Sequence, residues 1–332
     1  MEIKNVLIVR FRQLGDAVLT TVLCNTIRKN FPDAHIDYVV NDGMASLFEG
    51  HPSIDRVIPF TKDEREHFWT YIRKVWHIMR STRYDVIIDK RSTFNTTPFA
   101  LFSLRTPIRA ALKKPYTLGL YNHRVGKVGN TPMIDHILQH LQPLERLQPI
   151  DYVRTMSLCV TDSESTAFQA AMEQQGIRPN RPLMLVGVTA KLAEKAWPEE
   201  QMTEVLRRFI DSFPQVQIIF NYAPGQEEVN ARRIYQALGC PDAVFIDVQA
   251  RNSRQLAVMA SLVDLYFGNE GGARHIVHAL QKPSLVVCSP QANPSVWIPR
   301  DATPAVAIAS ADATTDHVWD ELQRFTRNII SP

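Results

Sequence analysis

Cysteine is scarce in this 332-residue chain: Cys24, Cys159, Cys240 and Cys288 stand far apart, and no two form a CxxC pair. That spacing offers neither a zinc ligand set nor a disulfide framework, and it fits reduced thiols in a cytoplasmic protein. No apolar run reaches the length of a membrane span, and the first ten residues lack the order of a secretory signal. A net charge of +3 is too small for a global field that would recruit nucleic acid. One absence is local. Between Asp89 and Asp135 there is no acidic residue, while Lys90, Arg91, Arg105, Arg109, Lys113, Lys114, Arg124 and Lys127 supply cations. Such a run is either a solvated surface or a face for a phosphate-rich or membrane-surface partner.

What the chain does have is ordinary core material. Hydrophobic residues make up 45% and charged residues 21%, and the length suits two domains. Apolar runs of strand length are expected at 6–10, 35–40, 56–59 and 85–89, with helices at 16–30, 44–49 and 67–82 between them. A helix at 163–176 precedes Pro179 and Pro182, read as punctuation between domains. The alternation then restarts, with strands at 183–188, 217–221, 244–247, 265–267 and 284–288. Helices at 199–212, 227–238, 254–262 and 272–281 separate them, and a last one follows at 315–329. Strands alternating with helices imply an α/β fold with parallel sheets. The halves echo each other, since Phe31-Pro32 and Phe213-Pro214 each stop a helix before a strand. Two doubly wound domains facing one another would leave a cleft, with ligands at the carboxyl ends of strands.

Three loops at such ends have the residues for chemistry. Arg10-Phe-Arg-Gln-Leu-Gly15-Asp16 follows the first strand. Its single Gly15 allows a tight turn but falls short of GxGxxG, and GxxxxGK[ST] is missing as well, which disfavours a dehydrogenase and a P-loop. Asp16 can cap the following helix or serve as a general base. In the segment from Thr189 to Pro198, a hydroxyl and Lys195 can hold phosphate oxygens, unless this is a surface loop anchored by Trp197. In Asn269-Glu270-Gly271-Gly272-Ala273-Arg274-His275, adjacent glycines open a helix whose amides can cradle a diphosphate, with His275 in reach or packed away. A weaker fourth loop holds Glu227 and Glu228, carboxylates that can accept ribose hydroxyls.

In this order and register, the segments resemble glycosyltransferase family 9, the ADP-heptose:lipopolysaccharide heptosyltransferases. The opening residues 6–21, the continuation 31–37, Lys195-x-Trp197-Pro198 and the loop 269–275 bear the similarity. The resemblance implies a GT-B fold of two Rossmann-like domains: residues 1–160 for the acceptor, 180–312 for the nucleotide sugar, and a terminal helix at 314–330 that packs back on the first. It implies inversion without a covalent intermediate, no metal and no cofactor. Asp16 matches the catalytic base, Thr189 and Lys195 the phosphate contacts, and Glu227 or Glu228 the ribose contact. The chain departs from the family's Asp-Thr/Ser-Gly at Glu270-Gly271-Gly272. Arg10, Arg12, Lys90, Arg91 and Arg124 are then expected to meet an anionic, lipid-linked core glycan at the cytoplasmic face of the inner membrane, as a peripheral protein. The rival expectations are a same-fold transferase with another nucleotide sugar or glycan, and a non-catalytic binding module.

Overall fold

A computed structural model of the chain describes residues 1–330, which form two compact units divided after Cys159. The first unit runs β1 (Asn5–Val9), α1 (Leu14–Asn30), β2 (His35–Asn41), β3 (Arg56–Phe60), α2 (Lys62–Glu66), α3 (Phe68–Ser81), β4 (Val86–Asp89), α4 (Thr97–Leu101), β5 (Ile108–Leu112), β6 (His123–Val125) and α5 (Met133–Leu138). Its sheet is parallel, with strand order β3-β2-β1-β4-β5-β6. The chain winds outward from β1 in one direction and from β4 in the other, so the topological switch point lies between those two strands. β1 is buried on both faces, as a central parallel strand must be.

The second unit runs α6 (Asp162–Gln174), β7 (Leu183–Gly187), α7 (Glu199–Ser212), β8 (Gln217–Asn221), α8 (Gln226–Ala237), β9 (Val244–Phe245), α9 (Ser253–Ser261), β10 (Leu265–Asn269), α10 (Gly272–Ala279), β11 (Ser284–Val287), α11 (Pro294–Trp297), β12 (Ala305–Ile308) and α12 (Thr315–Ile330). Its parallel sheet has the order β12-β11-β10-β7-β8-β9, the same winding, with the switch point between β7 and β10. The echo between the halves extends to geometry. Phe31 and Phe213 each close a helix with φ near −130° and a 2.8 Å bond from the backbone N–H to the carbonyl four residues back.

Three expectations from sequence are corrected. The helix before Pro179 belongs to the second unit, where Glu164 at its start pairs with Arg254 of α9 at 2.6 Å, so the boundary precedes it. The final helix stays in the second unit too. Val318, Leu322 and Phe325 of α12 join the core formed by Val205, Phe209 and Leu285, a burial of about 1.5–3 kcal/mol per side chain. The turn after β1 is made by Arg12, at φ +49°, and Gly15 already lies inside α1. No helix of the described residues is long and apolar enough to cross a membrane.

Candidate active site

In an open parallel sheet, ligands bind at the carboxyl ends of the strands that flank the switch point. In the first unit those ends carry Arg10, one residue past β1, and Lys90, one residue past β4. Both side chains are buried. A guanidinium nitrogen of Arg10 forms an ion pair with Asp16, in the first turn of α1, and the other terminal nitrogen donates to the Lys90 carbonyl at 3.0 Å. Arg10 is thus committed to orienting Asp16 and to joining the two loops, a use that residue type and spacing did not disclose.

Lys90 Nζ donates to His136 Nδ1 at 3.4 Å, while His136 Nε2 donates to the Gly126 carbonyl at 2.9 Å. Burial, then the charge of Arg10, pushes the Lys90 ammonium down to about 7 against the pull of Asp16. His136 is lowered in turn, by burial and by Lys90. Arg12 is exposed and Arg91 half-buried in the same two loops, and Arg91 is lowered by burial and by the charges of Arg10 and Arg12. Four cations therefore gather around one carboxylate. Arg124 stands apart on the edge strand β6, two places from β4. Beneath the loop, Asp89 accepts from the Ser92 amide, Thr96 and Tyr121 at 2.6, 2.6 and 2.8 Å, which fixes the turn that presents Lys90 and Arg91.

In the second unit the loops after β7, β8 and β10 bring most of the remaining candidates to one sheet edge. Thr189 Oγ1 donates to Glu227 Oε2 at 2.9 Å, whereas Glu228 is drawn off to Arg232 at 3.1 Å on the exposed side of α8. The structure thereby separates two glutamates that the sequence left equivalent. Lys195 is half-buried at the end of a 3-10 turn just before Trp197, whose ring is buried with Nε1 donating to the Ala313 carbonyl at 3.0 Å. Glu270 accepts from Ser289 at 2.9 Å. Gly271 and Gly272 stand at the N-terminus of α10, where free amides and the helix dipole favour an anion. His275, in the first turn, is pushed well below the usual imidazole range by burial and by Arg274, so it offers a neutral ring.

Two residues missed from sequence hold this edge together. Asn269 Oδ1 accepts from the Trp197 amide at 2.7 Å and its Nδ2 donates to the Gly187 carbonyl at 3.0 Å, bracing the loops on both sides of the switch point. Arg274 is buried with one terminal nitrogen donating to the Trp297 carbonyl at 2.9 Å and the other unpaired. An amide ending a strand and a cation inside an apolar helix face are the signals that mark them.

Two doubly wound parallel units in one chain, each with polar groups at its switch point, make the GT-B fold. Residues 72–299 match glycosyltransferase family 9 (heptosyltransferase), and the chain belongs to that family. It is a glycosyltransferase. It is similar to lipopolysaccharide heptosyltransferase 1 of Campylobacter coli, 20% identical over 288 residues that cover 84% of this chain and 82% of that one. Among solved structures it resembles a family 9 glycosyl transferase from Veillonella parvula, with TM-score 0.79, 17% identity and coverage of 97% and 92%. It also resembles the E. coli ADP-heptose lps heptosyltransferase II, with TM-score 0.75, 19% identity and coverage of 98% and 99%.

Proposed function

We propose that the protein transfers heptose from ADP-heptose to a hydroxyl of a lipid-linked lipopolysaccharide core oligosaccharide, with inversion and without a metal. The observation that supports this most is the pairing of Asp16 with Arg10 at the first switch point, a carboxylate held among cations suited to an anionic glycan. The names of the relatives support the same donor and acceptor class. In this reading Asp16 takes the proton of the acceptor hydroxyl as its oxygen attacks the anomeric carbon. The bond from that carbon to the diphosphate oxygen breaks, and ADP leaves. Lys195, Thr189 and the amides after Glu270 offset the charge on the departing diphosphate. Glu227 takes the ribose hydroxyls, and His275 donates a hydrogen bond as a neutral ring. Arg12, Lys90, Arg91 and Arg124 bind acceptor carboxylates and phosphates, and the lipid-linked acceptor brings the enzyme to the cytoplasmic face of the inner membrane.

Glu270-Gly271 in place of a shorter carboxylate and a hydroxyl favours a second reading, in which the nucleotide sugar differs. The test is turnover with ADP-heptose, UDP-sugars and GDP-sugars, alongside thermal stabilisation by ADP, UDP and GDP. A nucleotide at a hundred times its Kd adds about 2.7 kcal/mol. ADP-selective stabilisation with turnover of ADP-heptose is expected. Preference for UDP or GDP would replace the donor, and binding without turnover of any sugar would leave a binding module.

A further inference from the structure

Helix α3 buries one side and leaves aromatic rings on the other. Tyr71, Val75, Ile78 and Met79 pack into the first unit's core, while Phe68, Trp69 and Trp76 are 64%, 79% and 48% exposed. Trp69, Arg73, Trp76 and Arg80 recur at helical spacing, so they form one stripe along the solvent side. Within it the Arg80 guanidinium lies 5.7 Å from the Trp76 ring, and Phe68 meets Trp69 edge-on at 5.2 Å. The helix has no acidic residue. Single exposed apolar side chains need no explanation, but interleaved rings and arginines on one helix face match what lies in a headgroup layer.

The same combination continues beside the first turn of α3. The Tyr71 hydroxyl donates to the Asn95 carbonyl at 2.6 Å, which ties that turn to the loop where Phe94 is 74% exposed. Phe94 meets Tyr116 edge-on at 6.4 Å, and Lys114 Nζ sits 5.9 Å from the Tyr116 ring. All three belong to the stretch that has no acidic residue between Asp89 and Asp135.

We propose that the solvent face of α3, with Phe94 and Tyr116 beside it, docks the first unit on an anionic lipid bilayer. The rings enter the headgroup layer, and Arg73, Arg80 and Lys114 meet lipid phosphates. A second copy of the chain fits this face poorly, because a two-fold contact sets the arginine stripe against itself. The purpose of the docking rests on the lipid-linked acceptor proposed above, but the docking is measurable without donor or acceptor.

The experiment is co-sedimentation of the full chain with vesicles of phosphatidylcholine alone or mixed with phosphatidylglycerol, at low and high salt. Binding is expected only to the mixed vesicles, weakened by salt, with a blue shift of tryptophan emission. Trp69→Ala with Trp76→Ala should abolish the shift, and Arg73→Glu with Arg80→Glu should lower binding by about tenfold or more. Both variants should keep the wild-type Tm and wild-type turnover on a delipidated acceptor. Binding that the variants leave unchanged, equal binding to phosphatidylcholine alone, or a dimer lost on the same substitutions would overturn the proposal. Vesicle binding by a protein that turns over no nucleotide sugar would support the docking and count against the transfer reading instead.

Discussion

Arg10, just past β1, and Asp16, in the first turn of α1, face each other as an ion pair, and Arg10 reaches on to the Lys90 carbonyl at 3.0 Å. If Asp16 is the base proposed above, Arg10 is its positioning residue, and a lysine cannot reproduce its fork. Arg10→Lys is expected to lower kcat about tenfold while leaving the donor KM unchanged, because each 1.36 kcal/mol lost at the transition state is tenfold. Steady-state kinetics with donor and acceptor varied separately checks the split.

The bond between Thr189 and Glu227 predicts unequal roles for the two neighbouring glutamates. In the proposed reading Thr189, held beside Glu227, meets the diphosphate and Glu227 the ribose, so Thr189→Val and Glu227→Gln should each remove a nucleotide contact of about 1 kcal/mol and lower affinity roughly fivefold. Glu228→Gln removes only an exposed pair with Arg232 and should leave affinity unchanged. Calorimetric titration with ADP separates the three.

Gly268 and Gly271, three residues apart, should respond oppositely to a methyl group. Gly268 has φ +132°, and a Cβ there would overlap the Gly187 backbone across the β7–β10 contact. Gly268→Ala is expected to cost more than about 2 kcal/mol. At Gly271 the backbone is extended and a Cβ would meet nothing within 4 Å. Gly271→Ser should melt within about 2 °C of wild type, and thermal unfolding decides both.

His51 sets an acid limit on the first unit. Its Nε2 donates to the Ser157 carbonyl at 3.1 Å and its Nδ1 accepts from the Ser53 amide at 3.1 Å, which requires the neutral ring. Burial pushes its pKa down to about 4. Between about 4 and 6.5 the unfolded chain binds more protons at this site, so stability rises with pH across that window and is lost as pH falls through it. Below about pH 4 the cost of protonating the buried ring, relative to neutral pH, is on the order of 3 kcal/mol. His51→Gln should flatten the stability profile of urea unfolding between pH 6.5 and 4, relative to wild type.

Much of the fold was legible because periodicity and punctuation agree. α7 and β8 fall at the bounds expected, since an amphipathic run, Phe213-Pro214 and an apolar run follow in order. β5, β6 and β12 went unread. Ile-Arg-Ala-Ala-Leu and His-Arg-Val have weak strand character of their own and are strands because β4 and β5 pair with them. The candidate site was legible as loops but not as partnerships. Lys90 and His136 are 46 residues apart, and only the fold makes them neighbours. The amphipathic pattern of α12 marked a buried face without saying which core receives it.

Whether Asp16 activates the acceptor hydroxyl for transfer from ADP-heptose, as proposed, is read from the turnover rate of Asp16→Asn. The substitution keeps shape and removes the base, and Tm and ADP binding serve as controls. A fall in kcat of about 10²- to 10⁴-fold with unchanged ADP affinity is expected. A folded Asp16→Asn enzyme that transfers heptose at the wild-type rate would contradict it.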